Sequence, residues 1–364
     1  MVVEFESGLN TSDALRAFLK RLLVDGIADA VLVACTSPHS ALPMPTLVSD
    51  PGLLERAVPL APAAPVSGAR MAARVLAGDA GRRIAVVLRP CEVRALIELA
   101  KLSQCTLEPA IVVSMDCFGR LENDKFLVRV GETDDSEAVF AESAAWQTEV
   151  CSSCRACVGF VPENVDVSLY LAGRAGEPGI TLAAGSPAGE AILKTLGAAS
   201  IDTPAGRQKE IERILADRQA RRDQMTAEAA DRMADMAAFQ RTIATCLNCY
   251  NCRVACPVCY CKECVFVTDV FDHRPEILLG RAARKGAVKI PTDTTMFHLT
   301  RMAHMAHACV GCGQCSSVCP SDIPVAELFI SVAQKVQDHY TYVPGQDPGR
   351  PWPILVGDEQ PSED

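Results

Sequence analysis

Two twelve-residue segments of this chain share one cysteine pattern. CLNCYNCRVACP (246–257) and CVGCGQCSSVCP (309–320) each read C-x2-C-x2-C-x3-C-P, the spacing that holds a 4Fe-4S cubane. Three thiolates on one short turn reach three corners of a cube, and the backbone N–H groups exposed there face the cluster sulfurs. The fourth Cys is set apart, and the proline ends the motif without needing a donor. Where two such motifs occur together, the fourth Cys of each ligates the other cluster. The expected ligand sets are therefore Cys246, Cys249, Cys252 and Cys319 for one centre, and Cys309, Cys312, Cys315 and Cys256 for a second. Zinc also takes four thiolates, but two complete motifs ending in Cys-Pro argue for iron and sulfide.

The N-terminal half carries further thiols: Cys91 in RPCEVRAL, Cys117 in SMDCFG, and Cys151, Cys154 and Cys157 in CSSCRAC. Cys91 and Cys117 lie just past the ends of two expected parallel strands, the edge where open α/β sheets build their sites. With a C-x-x-C they make four thiolates, enough for a third cubane. CPVCYCKECVF (256–266) adds Cys259, Cys261 and Cys264, three ligands without an obvious fourth, so that a further metal site and buried free thiols are both open readings. Cys35 and Cys105 have no assigned role. His298, Arg301, His304 and His307 recur every three residues and read as a polar stripe on a helix beside an anionic cluster.

The elements that must position these groups divide the chain. Residues 1–204 read as an α/β domain with a parallel-rich sheet: a helix over 15–23, strands over 30–34, 84–88 and 111–115, and a helix over 92–102 between the last two, a βαβ unit. Residues 43–65 read as a Pro- and Ala-rich loop with one short helix. Residues 205–245 are charged and helical, with a gap in the apolar stripe around Arg218 and Arg222, and read as a partly solvated connector. Residues 246–330 read as an α-helical ferredoxin-type domain, and 331–364 as a proline-rich tail lying extended on a neighbouring surface. A formal charge of −10 argues against a nucleic-acid partner, and no apolar run is long enough to span a bilayer. The N-terminal MVVEFESGLN has neither the basic nor the apolar region of an export signal, so the expected location is cytoplasmic.

Pro90-Cys91 after a strand, strand-end Cys117, CRACVGFVPENVDV (154–167), the charged helix near 207–222 and the double-cubane segment together resemble the β subunits of deazaflavin-reducing hydrogenases and formate dehydrogenases over most of the chain. The resemblance implies a third 4Fe-4S cluster on Cys91, Cys117, Cys154 and Cys157, with Cys151 spare or in place of Cys154. It implies FAD beside that cluster, for which Arg89, Glu92, Arg94, Ser67 and Arg70 are the candidate residues. Two departures stand out. The family's Gly-Gly-x-x-Thr turn is replaced by SGLNTSDALRAFL, and its Ser-Pro-Asn-like segment by VSGARMAA (66–73). The implied role is an iron–sulfur electron-transfer subunit of an anaerobic redox complex. Its catalytic partner would be a formate dehydrogenase, a hydrogenase or a heterodisulfide-reductase-like enzyme. The alternative is a flavin-free adaptor, or a ferredoxin-like carrier with no activity of its own.

Overall fold

The structure is a computed structural model that describes residues 1–78, 81–133, 140, 147–174, 177–271, 274–286 and 292–353. The end of the expected tail, 354–364, lies outside the described residues. Eight strands form one sheet: β1 (Val2–Phe5), β2 (Ala30–Ser37), β3 (Ser40–Val48), β4 (Ile84–Leu88), β5 (Ala110–Met115), β6 (Val167–Tyr170), β7 (Ile180–Ala184) and β8 (Ala199–Ser200). Their order is β3-β2-β4-β5-β6-β7-β1-β8. Only the centre, β2-β4-β5-β6, is parallel; antiparallel strands flank it on both sides, so the sheet is mixed. Every residue of β4 is buried, as a parallel strand covered on both faces requires.

Helices α1 (Thr11–Val24), α2 (Gly68–Gly78) and α3 (Pro90–Lys101) pack on this sheet, followed by α4 (Asn123–Thr133), α5 (Ser152–Arg155) and α6 (Pro187–Leu196). The α3 start is fixed from two sides. The Glu92 carboxylate accepts from its own helix entrance at Arg89 N (3.0 Å) and from Gly68 N at the head of α2 (2.7 Å). The segment expected as a loop with one short helix over 43–65 has that helix, a 3-10 turn at Pro51–Arg56, but opens in strand β3. Pro43 and Pro45 sit in a strand because β3 is the sheet edge, where a missing N–H costs no ladder bond on the outer side.

The charged stretch forms α7 (Arg207–Arg232) and α8 (Met236–Thr242). Most of α7 faces solvent, as expected of a partly solvated helix, while its narrow buried stripe braces the sheet domain. Arg207 makes a two-pronged ion pair with Asp116, both buried, and lies 3.5 Å over the Tyr170 ring. The gap in the apolar stripe at Arg218 faces protein: this guanidinium is only 6% exposed, while Arg222 reaches Gln334 at 3.4 Å.

The remainder is helical, as expected: α9 (Asn251–Ala255), α10 (Pro275–Lys285), α11 (Thr292–Met305), α12 (Gln314–Ser317) and α13 (Val325–His339). The expected boundary at residue 330 falls inside α13. One core of apolar side chains runs without a break from Leu32 and Leu96 of the sheet domain to Phe297, Phe329 and Tyr342. The tail segment that follows α13 folds back on its own chain. Tyr342 and Trp352 are buried, and both donate to Glu98 of α3, a carboxylate with no exposure to solvent.

Candidate metal centres

Twelve cysteines line three voids, with Cys312 shared between two of them. The first, about 550 Å³, lies at the carboxyl edge of the sheet and is lined by Cys91, Cys117, Cys154 and Cys157. The middle one, about 400 Å³, is lined by Cys256, Cys309, Cys312 and Cys315. The outer one, about 330 Å³, is lined by Cys246, Cys249, Cys252 and Cys319. Gly311 and Cys312 border both the first and the middle void, so these two share a wall. Arg301 borders the middle void and donates to the carbonyl of Cys252, a lining residue of the outer one (3.2 Å). The three spaces form a row.

Local geometry explains why each motif curls around its space. Asn248 and Gly311 stand third in their motifs and Tyr250 and Gly313 fifth, and all four have positive φ (53°, 68°, 60° and 75°). Such left-handed residues turn successive N–H groups toward one side, the arrangement that binds anions. In both motifs the third residue's N–H bonds the first thiol, Asn248 to Cys246 and Gly311 to Cys309. Gly313 has a second constraint, since a Cβ there would lie 1.8 Å from Ser153 Oγ on α5. The second motif is pressed against the sheet domain, which is why a glycine stands where the first motif has Tyr250.

Around the first void, Cys91 enters on the opening turn of α3, Cys117 lies just beyond β5, and Cys154 and Cys157 come from α5 and its exit. Arg218 donates to the carbonyls of Cys117 (3.1 Å) and Cys157 (3.3 Å) and packs 4.6 Å from the Phe160 ring. Cys151 does not line the void. Its thiol is the hydrogen-bond partner that draws the Cys154 thiol down, while its own is driven up by that bond and by burial. Elsewhere burial pushes thiols up: Cys117 and Cys309 to about 11, Cys312 to about 12. Iron binding there must expel protons that these buried thiols hold firmly.

Of the other cysteines, Cys35 and Cys105 are buried among apolar side chains, Cys259 and Cys264 pack against the core, and Cys261 is exposed. Among the described residues no three His, Cys, Asp or Glu side chains gather as a single-ion site. The polar stripe divides its tasks. His298 borders the outer void with Nε2 3.4 Å from Cys246 Sγ, and burial followed by the Arg301 charge lowers its pKa to about 4. Arg301 serves the middle void, His307 is buried against Tyr340, and His304 is exposed.

The residues proposed from the resemblance for a flavin are committed to protein. Arg89 donates to Ala61 O (2.8 Å) and Ala63 O (2.5 Å), Glu92 holds the two helix starts, and Arg94 bonds Gly159 O (2.8 Å) and Val310 O (3.2 Å). Arg70 turns away to Val254 O in the first motif, and desolvation there lowers its pKa. Ser67 borders the first void with its hydroxyl unpaired. A cleft of about 450 Å³ does adjoin the first void, sharing Ala64, Arg89 and Glu92 with it, and is otherwise lined by Pro, Ala, Val, Leu and Met side chains with Gly68. Its lining supplies no uncommitted cation for a pyrophosphate. Arg120 and Arg218, which border the first void, were not singled out as site residues from sequence; the one trace was the break in the stripe at Arg218.

Residues 242–323 match the family of 4Fe-4S dicluster domains. Along nearly its whole length the chain is similar to F420-dependent formate dehydrogenase subunit beta of Methanocaldococcus jannaschii, 24% identical with 93% of each protein covered. It is also similar to F420-dependent formate dehydrogenase 1 subunit beta of Methanococcus maripaludis, 28% identical over 94% of this chain and 93% of that one. Among solved structures, a chain of the F420-reducing [NiFe] hydrogenase complex from Methanosarcina barkeri matches with a TM-score of 0.48 and 14% identity, covering 65% of this chain and 94% of the other. Among the described residues, no helix is long and apolar enough to cross a membrane.

Proposed function

Because this chain is a homologue of the β subunits of F420-dependent formate dehydrogenases, we propose that it is the iron–sulfur electron-transfer subunit of a redox complex. It would hold three 4Fe-4S centres and carry electrons between a redox site at the sheet edge and a catalytic subunit at the dicluster module. The observation that carries this reading is the row of three voids lined by twelve cysteines, at least four to each.

The residues around the voids suit an anionic cubane. Repeated left-handed turns direct N–H groups to the thiols, and Arg301 is buried beside the middle void with Nε and Nη1 unpaired. A buried guanidinium in that state is costly unless a negative group faces it. When bound, each cubane stores one electron without bond chemistry. The chain's own residues position and insulate: apolar Phe297, Phe329 and Ile330 exclude water, and Arg218 ties two ligand-bearing loops together.

The same reasoning does not favour FAD, since the candidate residues at the cleft spend their charges within the protein. The proposal therefore routes no step through a flavin. An adaptor that takes electrons from a partner's redox site is the reading this favours. Iron, sulfide and flavin content of the anaerobically purified chain tests both points. About twelve irons and no flavin are expected. Eight irons would remove the centre at the sheet edge, and stoichiometric FAD would restore a flavin subunit.

A further inference from the structure

We propose that an arginine-lined cleft between α5, α7 and the start of α13 is the docking site of an acidic one-electron carrier protein, which delivers electrons to the two centres behind it. The inference rests on the electron-transfer reading above and gives the donor in that reading a place on the surface.

The cleft measures about 770 Å³ and is open to solvent. Ser152 and Arg155 of α5, Arg221, Glu228 and Arg232 of α7 and Glu327 of α13 form its walls. Arg155, Arg221 and Arg232 are exposed, and among the described residues no ion pair, hydrogen bond or ring contact engages their guanidiniums. Asp217 and Glu228 stand four residues before Arg221 and Arg232, the usual spacing of helix ion pairs, yet neither pair is made. The two wall carboxylates have other partners. Glu327 accepts from Ser152 Oγ and, at 2.9 Å, from Ser316 Oγ, and Glu228 accepts from Gln224 Nε2 at 3.0 Å. Three cations against two anions leave an excess of one positive charge, on a chain whose formal charge is −10. Guanidiniums gathered around one concave space repel one another. Carboxylates of a partner relieve that repulsion and accept charge-assisted, two-pronged hydrogen bonds.

The position of the cleft suits an electron donor. Helix α5 carries Cys154 of the first void between Ser152 and Arg155. Met225, on the cleft floor and 8% exposed, packs in one apolar cluster with Ala326 and Ile330, which line the middle void, and Cys309 and Cys315 pack against the same cluster. One packed apolar cluster therefore reaches from the cleft to the middle void. The carrier loses one electron and is oxidised, a centre behind the cleft gains it and is reduced, and no bond forms or breaks.

The test uses the whole chain, reconstituted anaerobically, with a purified acidic flavodoxin in its hydroquinone form as the probe. Its semiquinone absorbance in a stopped-flow mixer counts each electron delivered. The wild-type rate should fall at least about tenfold between about 0.05 and 0.5 M salt. Arg155→Gln/Arg221→Gln/Arg232→Gln should be at least about tenfold slower at the low salt and nearly independent of salt. Its iron content and its reduction by the methyl viologen radical cation, which gains nothing from a cationic cleft, should match wild type. Arg241→Gln/Arg281→Gln/Arg284→Gln removes the same charge from other surfaces and should keep near the wild-type rate. If the cleft triple variant does not retain iron, Arg221→Glu alone decides by the same measure. Equal slowing in both triple variants would overturn the proposal. So would a cleft variant as fast as wild type, and if that variant has also lost saturable binding of tripolyphosphate, the cleft is a small-anion site. The two readings fail separately. About eight irons in wild type removes the centre at the sheet edge and leaves docking measurable through the middle one, whereas full iron with salt-independent rates removes the docking site.

Discussion

Replacing Glu98 by Ala should detach the C-terminal segment from the sheet domain. The Glu98 carboxylate is fully buried and accepts from Tyr342 Oη (2.7 Å), Gly345 N (2.8 Å), Trp352 Nε1 (2.5 Å) and Lys101 Nζ (3.1 Å). Three of these donors belong to residues 342–352, so one side chain on α3 anchors the whole return of the chain. A hydrogen bond to a charged acceptor contributes roughly 1.5–3 kcal/mol. The four share one acceptor and are not additive, and removing one partner of a buried ion pair costs about 3–5 kcal/mol. Lys101, 5% exposed, would be that stranded partner. An expected loss of about 4 kcal/mol follows, with about half in Glu98→Gln, which keeps an acceptor but not the charge. Denaturant unfolding under anaerobic conditions measures the loss, and limited chymotrypsin digestion measures release of the segment through cleavage after Tyr342, which is buried while the segment is anchored. A loss below about 1 kcal/mol with unchanged protection of Tyr342 would refute the anchoring role.

Cys157→Ser should lose about four irons and Cys151→Ala none, measured by iron and sulfide analysis; equal losses would contradict the lining of the first void. Asp116→Asn strands buried Arg207 and should destabilise by about 3–5 kcal/mol, seen as a lower denaturant midpoint, with Asp116→Glu recovering part of it. Gly313→Ala combines a left-handed φ with a Cβ 1.8 Å from Ser153 Oγ. It should cost at least about 2 kcal/mol, whereas the same change at Gly280, which has open space, should cost nothing measurable.

Much of this architecture is legible in the residues because the informative interactions are local. The β4–α3–β5 unit announces itself through two buried apolar runs and a helix between them, and the dicluster motifs through spacing that one short turn enforces. Strands β1, β6, β7 and β8 were not read: they are two to five residues long, and their pairing is set by the rest of the sheet. Strand β3 was hidden by prolines that only an edge position tolerates. The arginines were hidden for a related reason. Arg218 lies on a helix rich in charge, where a cation ordinarily means solvent. Only the packing of α7 across the loops of Cys117 and Cys157 turns it inward. Of the five residues proposed for a flavin, Arg89, Glu92 and Arg94 were chosen by adjacency to Cys91 and Ser67 and Arg70 by their place in the VSGARMAA segment, and position along a chain does not disclose which carbonyls a guanidinium will find.

The exchange of fourth cysteines has a consequence for biogenesis. Cys319 of the second motif closes the outer void, and Cys256 of the first closes the middle one. On a nascent chain the first motif presents three ligands and must wait for Cys319 to be synthesised before its cofactor can be sealed. A half-finished polypeptide therefore exposes an incomplete site to oxygen and to competing metals. Iron delivery is forced to be late and concerted, with both cofactors of the pair locking the same two segments together, and a lesion in either motif leaves both cofactors open.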